Sequence, residues 1–238
     1  SLDIAGRLPT EEEVTAFFAS TDDNKRDQLI DALLRSPNYA DYFANKWTSL
    51  LKNRRDDASD ITSNFAFHAW IRDSLLANVP YDQIVRELLA ATGTVIGNPP
   101  VAWYKRVKEP KQQLEDVAQL FLGVRMQCAQ CHHHPFEVYS QAAYYGLAAF
   151  FTRVGTKGSA DFGALGRDTV VMLKSSGSIS HPRTRKTMPP TSLQGEPVDL
   201  EGVRDLRRPL ADWLTSKENR LFSRNIVNRV WGYFMGTG

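Results

Sequence analysis

The chain of 238 residues is 42% hydrophobic and 11% aromatic, enough for one sizeable core or two small ones. Its 29 basic and 27 acidic side chains leave a net charge of +2, so there is no bulk field to gather nucleic acid or an anionic membrane, and no nucleic-acid partner is expected. No apolar run approaches the roughly 18 residues that a spanning helix needs, Ser1 does not open a signal-peptide pattern, and the abrupt ends SLDIAGRLPT and VWGYFMGTG read as those of a piece of a longer protein.

Helical pattern dominates up to about residue 152. In LPTEEEVTAFFAS, Thr10 stands three residues before Glu13, the reciprocal capping-box spacing, ahead of Val14, Phe17 and Phe18. NKRDQLIDALLRSP places Leu29, Ile30, Leu33 and Leu34 on one face, and Ser36-Pro37 closes that helix and opens the next. The third helix carries Tyr39, Phe43, Trp47 and Leu50 at spacings of three and four, a core-facing stripe. RRDDASD is a polar break. Two further helices follow, NFAFHAWIRDSLLANVP and YDQIVRELLAATG, separated at Pro80, with Gly93 as the expected stop of the second. His68, among Phe65, Phe67, Trp70 and Ile71, reads first as a packed side chain and second as a ligand.

NPPVAWYKRVKEP is expected to be a loop with an aromatic pair, and Pro110 to open one long amphipathic helix, KQQLEDVAQLFLGVRM, that delivers the chain to a cysteine cluster at its end. SQAAYYGLAAFFTR then reads as an apolar helix, with Tyr145, Leu147, Ala148 and Phe151 in the core. From 153 to 200 Gly, Ser, Pro and Thr prevail, which predicts a loop-rich insertion with two short strands, one of them at DTVVML, 168 to 173. The basic stretch HPRTRK, 181 to 186, reads as a solvated loop. Helical pattern resumes over 201 to 238, with Trp213, Phe222, Ile226, Val230 and Trp231 as apolar anchors. The fold class expected is mainly α: an irregular multi-helix domain over 1 to 152, the insertion, and a second helical segment.

The chemistry concentrates in QCAQCHHHPF, residues 127 to 136, which holds both cysteines and three of the five histidines. Cys128, Cys131 and His132 form C-x-x-C-H, the spacing that attaches c-type haem. Two thiols about one helical turn apart can each reach one vinyl group, while the imidazole after the second is carried under the iron. By ordinary residue usage the pattern arises by chance on the order of once in a thousand chains of this size. Three other readings compete. Zinc could take Cys128, Cys131, His132 and His134, although four ligands within seven residues are cramped and structural sites normally draw a second pair from a distant segment. A thioredoxin-like redox pair lacks its βαβ context, and a plain disulfide or buried thiol pair needs no cofactor. No Walker loop, dinucleotide glycine fingerprint or nucleophile elbow is present.

The runs RLPTEEEVTAFFA, LLRSPNYADYFANKWTSLL, PYDQIVRELL, FLGVRMQCAQCHHHPFE, YYGLAAFF and RRPLADWLTSKENRLFSRNIVNRVWGYFMG resemble a large planctomycete family. Its N-terminal part is termed a planctomycete cytochrome c-like domain of unknown function, and the last run resembles the opening of its companion domain. The family's motif reads Cys-x-x-Cys-His-Asp-His, then Pro or Lys, Phe and Asp, so Cys128, Cys131, His132, His134 and Phe136 match while His133 and Glu137 depart from it. The resemblance implies an exported, periplasmic or cell-envelope protein that contacts the companion domain.

Together these readings give an electron-transfer role rather than catalysis. One haem c would be anchored by Cys128 and Cys131 with His132 on the iron, His134 would assist as a cofactor-binding residue, and a redox partner of unspecified identity would exchange the electron. The alternative is a haem-free scaffold module of a larger envelope or polymer-processing protein, using the cluster for zinc or a disulfide. A third reading is an enzyme whose active site spans this chain and the companion domain. Candidates for a second axial ligand are His68, Met126, Met172, His181 and Met188.

Overall fold

A computed structural model describes all residues except 57–59, 159–168, 194, 196, 197 and 199. Parts of the expected polar break at 54–60 and of the insertion, including Asp168, therefore lie outside the described residues. The described residues form eleven α-helices and one two-stranded antiparallel sheet, a mainly α architecture as the periodicity predicts.

Helix α1 (Leu2–Ala5) leads into α2 (Glu11–Ala19), which starts with the predicted capping box: Glu13 N donates to Thr10 Oγ1 at 3.2 Å and Thr10 N to Glu13 Oε2 at 2.9 Å. Helix α3 (Lys25–Leu34) departs from expectation. Of its four apolar positions only Leu33 is buried, while Ile30 and Leu34 are exposed, because α3 lies against α1 and α4 and covers a line of side chains rather than a face. Helix α4 (Pro37–Leu50) starts with Ser36 Oγ accepting from Tyr39 N and Pro37 in the first turn. It packs against α5 (Ile61–Leu76), burying Phe43 on one side and Phe67 and Ile71 on the other.

Helix α6 (Tyr81–Leu89) ends earlier than the glycine signal suggested. Gly93, at φ 99°, does not cap it: it exchanges backbone hydrogen bonds with Val171 at 2.8 and 2.9 Å and docks the small sheet on the helical body. The stretch expected to be a loop is instead a 3₁₀ turn, Pro99–Val101, continuing into α7 (Ala102–Arg106), with Trp103 and Tyr104 fully buried. Prolines preset the φ of a first helical turn, and the apolar residues that follow have only the core to face.

The expected single helix before the cysteines is broken. Helix α8 (Pro110–Val117) widens into a π turn, Ala118–Leu122, and stops at Gly123, whose left-handed φ of 72° a side chain would strain. After Val124–Met126 comes a 3₁₀ turn, Gln127–Gln130, that carries Cys128, so the cluster follows a short turn and not the end of a long helix. Helix α9 (Gln141–Ala149) is buried over most of its length and packs against α8 and this turn. Strands β1 (Val154–Gly158) and β2 (Thr169–Leu173) pair from Val154 opposite Leu173 to Gly158 opposite Thr169, where the β-branched stretch predicted a strand. HPRTRK forms a turn closed by a bridge between Ser180 and Thr187.

Helices α10 (Arg207–Leu214) and α11 (Arg220–Met235) complete the chain. One core joins them to the rest, centred on Phe67, Leu88, Trp103, Leu114, Phe121 and Leu210, each contributing about 1.5–3 kcal/mol by burial. On α11 the expected anchor Phe222 is buried, but Val230 and Trp231 are exposed. The helix is held partly by polar contacts instead: Asn225 Nδ2 and Arg229 Nη2 both donate to the carbonyl of Leu120, in the π turn, at 2.6 and 3.0 Å. No described helix is long and apolar enough to cross a membrane.

Candidate functional site

The C-x-x-C-H turn is a surface feature fastened from beneath. Met126 and Ala129 point into the core with no exposed area, while Cys128, Cys131 and His132 stay exposed around them. The carbonyl of Cys128 accepts from the backbone N–H groups of Cys131 and His132, both at 3.4 Å, which winds both cysteines and the histidine into one turn. From α9, Gln141 Nε2 and the Tyr145 hydroxyl donate to the carbonyl of Gln130 at 2.8 and 3.4 Å. Both thiols are free.

The three consecutive histidines are not equivalent. His132 Nδ1 lies 2.6 Å from the carbonyl oxygen of His133, which can only accept; Nδ1 therefore carries the proton and Nε2 keeps an open lone pair. His133 Nδ1 accepts from Gln141 N at 3.3 Å, which puts its proton on Nε2. His134 is engaged on both sides: Nε2–H donates to the carbonyl of Arg125 at 3.0 Å, and Nδ1 accepts from the N–H groups of Phe136 and Glu137 at 3.3 and 3.0 Å. Its own N–H donates to the carbonyl of Tyr139 at 2.9 Å. His134 is thus a clasp that closes residues 125 to 139 into a loop. His133 and Glu137, the positions that depart from the family's motif, join this backbone framework through one nitrogen and one N–H.

Two apolar side chains stand out on the same loop. Phe136 and Val138 are 91% and 95% exposed, unlike the aromatic and aliphatic residues packed a few positions away. Below the turn, the Tyr144 hydroxyl donates to Glu115 Oε1 at 2.6 Å; burial first, and then this carboxylate, push the phenol well above its usual range, so it stays neutral.

The donor set fits an attached haem. Two free exposed thiols share a turn with an imidazole whose Nε2 is the available base, and the loop that follows carries two exposed apolar side chains, Phe136 and Val138. The four-ligand zinc set fits less well, since His134 would have to surrender either its bond to the Arg125 carbonyl or those from the Phe136 and Glu137 N–H groups, whichever ring nitrogen took the metal. Among the described residues no three His, Cys, Asp or Glu side chains converge to hold a metal ion.

The five candidates for a second axial ligand are scattered. His68 Nε2 is hydrogen-bonded to Asn45 Oδ1 at 3.1 Å, Met126 is buried in the core, Met172 is partly exposed on β2, and Met188 packs against the core. His181 touches the ring of Tyr145 at 5.9 Å, the tyrosine that bonds Gln130, but its Nδ1 accepts from Arg183 N and Thr184 N. Sequence reasoning missed Gln141, Tyr145 and the carbonyls of Arg125 and His133. A glutamine opening an otherwise apolar helix was the one available signal; backbone acceptors leave none.

Comparison with known families adds two matches. Residues 1–156 match PSCyt2, described as a protein of unknown function (DUF1549), and residues 206–238 match PSD1, likewise of unknown function (DUF1553). No curated protein and no solved structure matches the chain.

Proposed function

The chain belongs to the PSCyt2 family of proteins of unknown function, and on that premise we propose that it is a cytochrome c-like electron-transfer module carrying one covalently attached haem. The observation that carries the reading is the histidine arrangement. Of three adjacent imidazoles only His132 is fixed by a carbonyl at Nδ1 with Nε2 open, which is the form an axial ligand must have. Cys128 and Cys131 would hold the haem, each through a thioether formed by adding its S–H across a vinyl double bond, which balances in atoms and electrons without an oxidant. When bound, the haem supplies one-electron exchange between ferrous and ferric iron.

The protein's own residues orient and shield. His133 supplies the carbonyl that orients His132, and His134 holds the loop that carries the exposed Phe136 and Val138. Covering those two side chains with an apolar group would remove surface from water at about 25 cal/mol per Å². The proposal extends to an exported, periplasmic or envelope setting, to a redox partner, and to contact with the remainder of the companion domain that PSD1 begins. The zinc alternative is disfavoured because His134 would have to give up the hydrogen bonds at one of its two engaged ring nitrogens.

The test is an absorption spectrum with a pyridine haemochrome assay and elemental analysis, on protein exported to a periplasm equipped for haem attachment. A Soret band that survives denaturation and disappears in the Cys128→Ala/Cys131→Ala variant is expected. A colourless protein under those conditions overturns the reading, and zinc content with a thiol count then separates a metal site from a disulfide.

A further inference from the structure

Residues 206–238 match PSD1, yet the two helices they form have their packing partners in the PSCyt2 segment. Helix α10 lies on α6, with Arg207 bonded to the carbonyls of Ala90 and Ala91. Helix α11 lies on the π turn, with Phe222 stacked on Tyr81 at 5.0 Å and Tyr233 edge-on to Phe43 at 6.2 Å. A stretch below about 40 residues rarely holds a core of its own. The opening helices of PSD1 are therefore built into the PSCyt2 core.

Helix α11 is apolar on two opposite sides. Phe222, Arg229 and Tyr233 meet the PSCyt2 segment. At 3.6 residues per turn Val227, Trp231 and Met235, spaced by four, form one ridge on the other side, and they are 65%, 55% and 58% exposed. A helix apolar all round is one that packs on both sides. Val227 and Trp231 line a shallow notch with Ser223, Arg224 and Asn228. Arg220 and Arg224 border the ridge, are exposed, and form no ion pair among the described residues. Gly236, left-handed at φ 78°, turns the chain back, so that a Cβ added at Gly238 would stand 2.7 Å from the carbonyl oxygen of Asn228. The chain is thus led along α11 beside the notch.

We propose that the Val227, Trp231 and Met235 ridge of α11 is the seat of the rest of the PSD1 domain, which covers it with an apolar surface rimmed by carboxylates that meet Arg220 and Arg224. Interfaces of this kind have an apolar aromatic centre and a charged rim. With one side in the PSCyt2 core and the other in PSD1, α11 fixes the two domains relative to each other. The inference rests on the contact with the companion domain proposed above and is independent of the haem.

The experiment is hydroxyl-radical footprinting, read by mass spectrometry, of the 238-residue chain and of the same chain continued through a complete PSD1 domain. Trp231 and Met235 are expected to oxidise at least about tenfold more slowly in the continued chain, as side chains at a water-excluding interface do, while the exposed Phe18 and Phe65 keep their rates. Trp231→Ser with Arg224→Glu alters only exposed positions, so it should leave the melting temperature of the 238-residue chain unchanged and return Met235 of the continued chain to fast oxidation. Equal oxidation of Trp231 in the two chains overturns the proposal: protection at another surface instead leaves the domain contact standing, and protection nowhere removes both. Protection of Trp231 that is lost on dilution assigns the ridge to a second copy of the chain and overturns it too, because a contact within one chain does not depend on concentration.

Discussion

Arg207 and Asp205 form a bidentate pair inside the protein, Nε to Oδ1 and Nη2 to Oδ2, each at 2.8 Å, with the arginine side chain 1% exposed. The same guanidinium donates to the carbonyls of Ala91 and Ala90, just past the end of α6, and lies over the ring of Tyr104 at 5.2 Å. One side chain therefore caps a helix of the PSCyt2 segment from the first turn of α10. Replacing Arg207 with Met should cost about 3–5 kcal/mol, because Asp205 and the two carbonyls are left buried without their donor. Urea unfolding midpoints measure this, and adding Asp205→Asn to the variant should restore part of the loss.

The division of labour among the histidines predicts two different phenotypes in the haem-bearing protein. His132→Ala should keep a covalent chromophore by pyridine haemochrome but lose axial ligation, seen as a shifted Soret band and new binding of carbon monoxide. His134→Ala should leave ligation intact and lower stability by about 1–3 kcal/mol, since it frees Arg125 O and two loop N–H groups. If His134→Ala reproduces the His132→Ala spectrum, the assignment of His134 as a clasp fails.

The π turn predicts a long-range coupling. Asn225 and Arg229 share the Leu120 carbonyl, an acceptor in the last turn before the helix stops at Gly123. Asn225→Ala should cost about 0.5–1.5 kcal/mol, and hydrogen exchange should quicken at Ala118–Leu122 and across α11, although the two segments lie a hundred residues apart. Unchanged exchange in the π turn would show that α11 is held by its apolar contacts alone.

Acid should loosen the start of α2 only at low pH. Bonds from Arg7 and from the Thr10 N–H hold the Glu13 carboxyl down to about 2, against an ordinary value of 4.5. A depressed folded-state value means that the contribution is complete above pH 4.5 and is lost as pH falls through 2. Carboxyl titration of Glu13 by NMR should give a midpoint well below 4.5, and Arg7→Gln should move it upward.

Local signals were legible where they act within a few residues. The Thr10–Glu13 box, Ser36-Pro37 and the β-branched run at 169 to 173 each form the element that their spacing predicts, because the interactions involved close over a few positions or follow from side-chain shape. Periodicity erred where the outcome depended on distant chain. Whether Leu34 or Trp231 is covered depends on which neighbours reach it, and Trp103 and Tyr104 became core because α5, α6 and β2 close around a stretch whose own pattern looked like loop.

The candidate site divides in the same way. C-x-x-C-H, and hence which ten residues could grip a haem or a metal, is a property of sequence alone, since covalent spacing already sets which groups can share a turn. Which imidazole keeps an open nitrogen was settled only by tertiary structure, through the carbonyls of His133 and Arg125 and the N–H of Gln141, backbone groups that every residue type possesses and no sequence pattern distinguishes. The Arg207 anchor belongs to the second kind as well. Its carbonyl partners at Ala90 and Ala91 lie more than a hundred residues away, so only the folded core could bring them together.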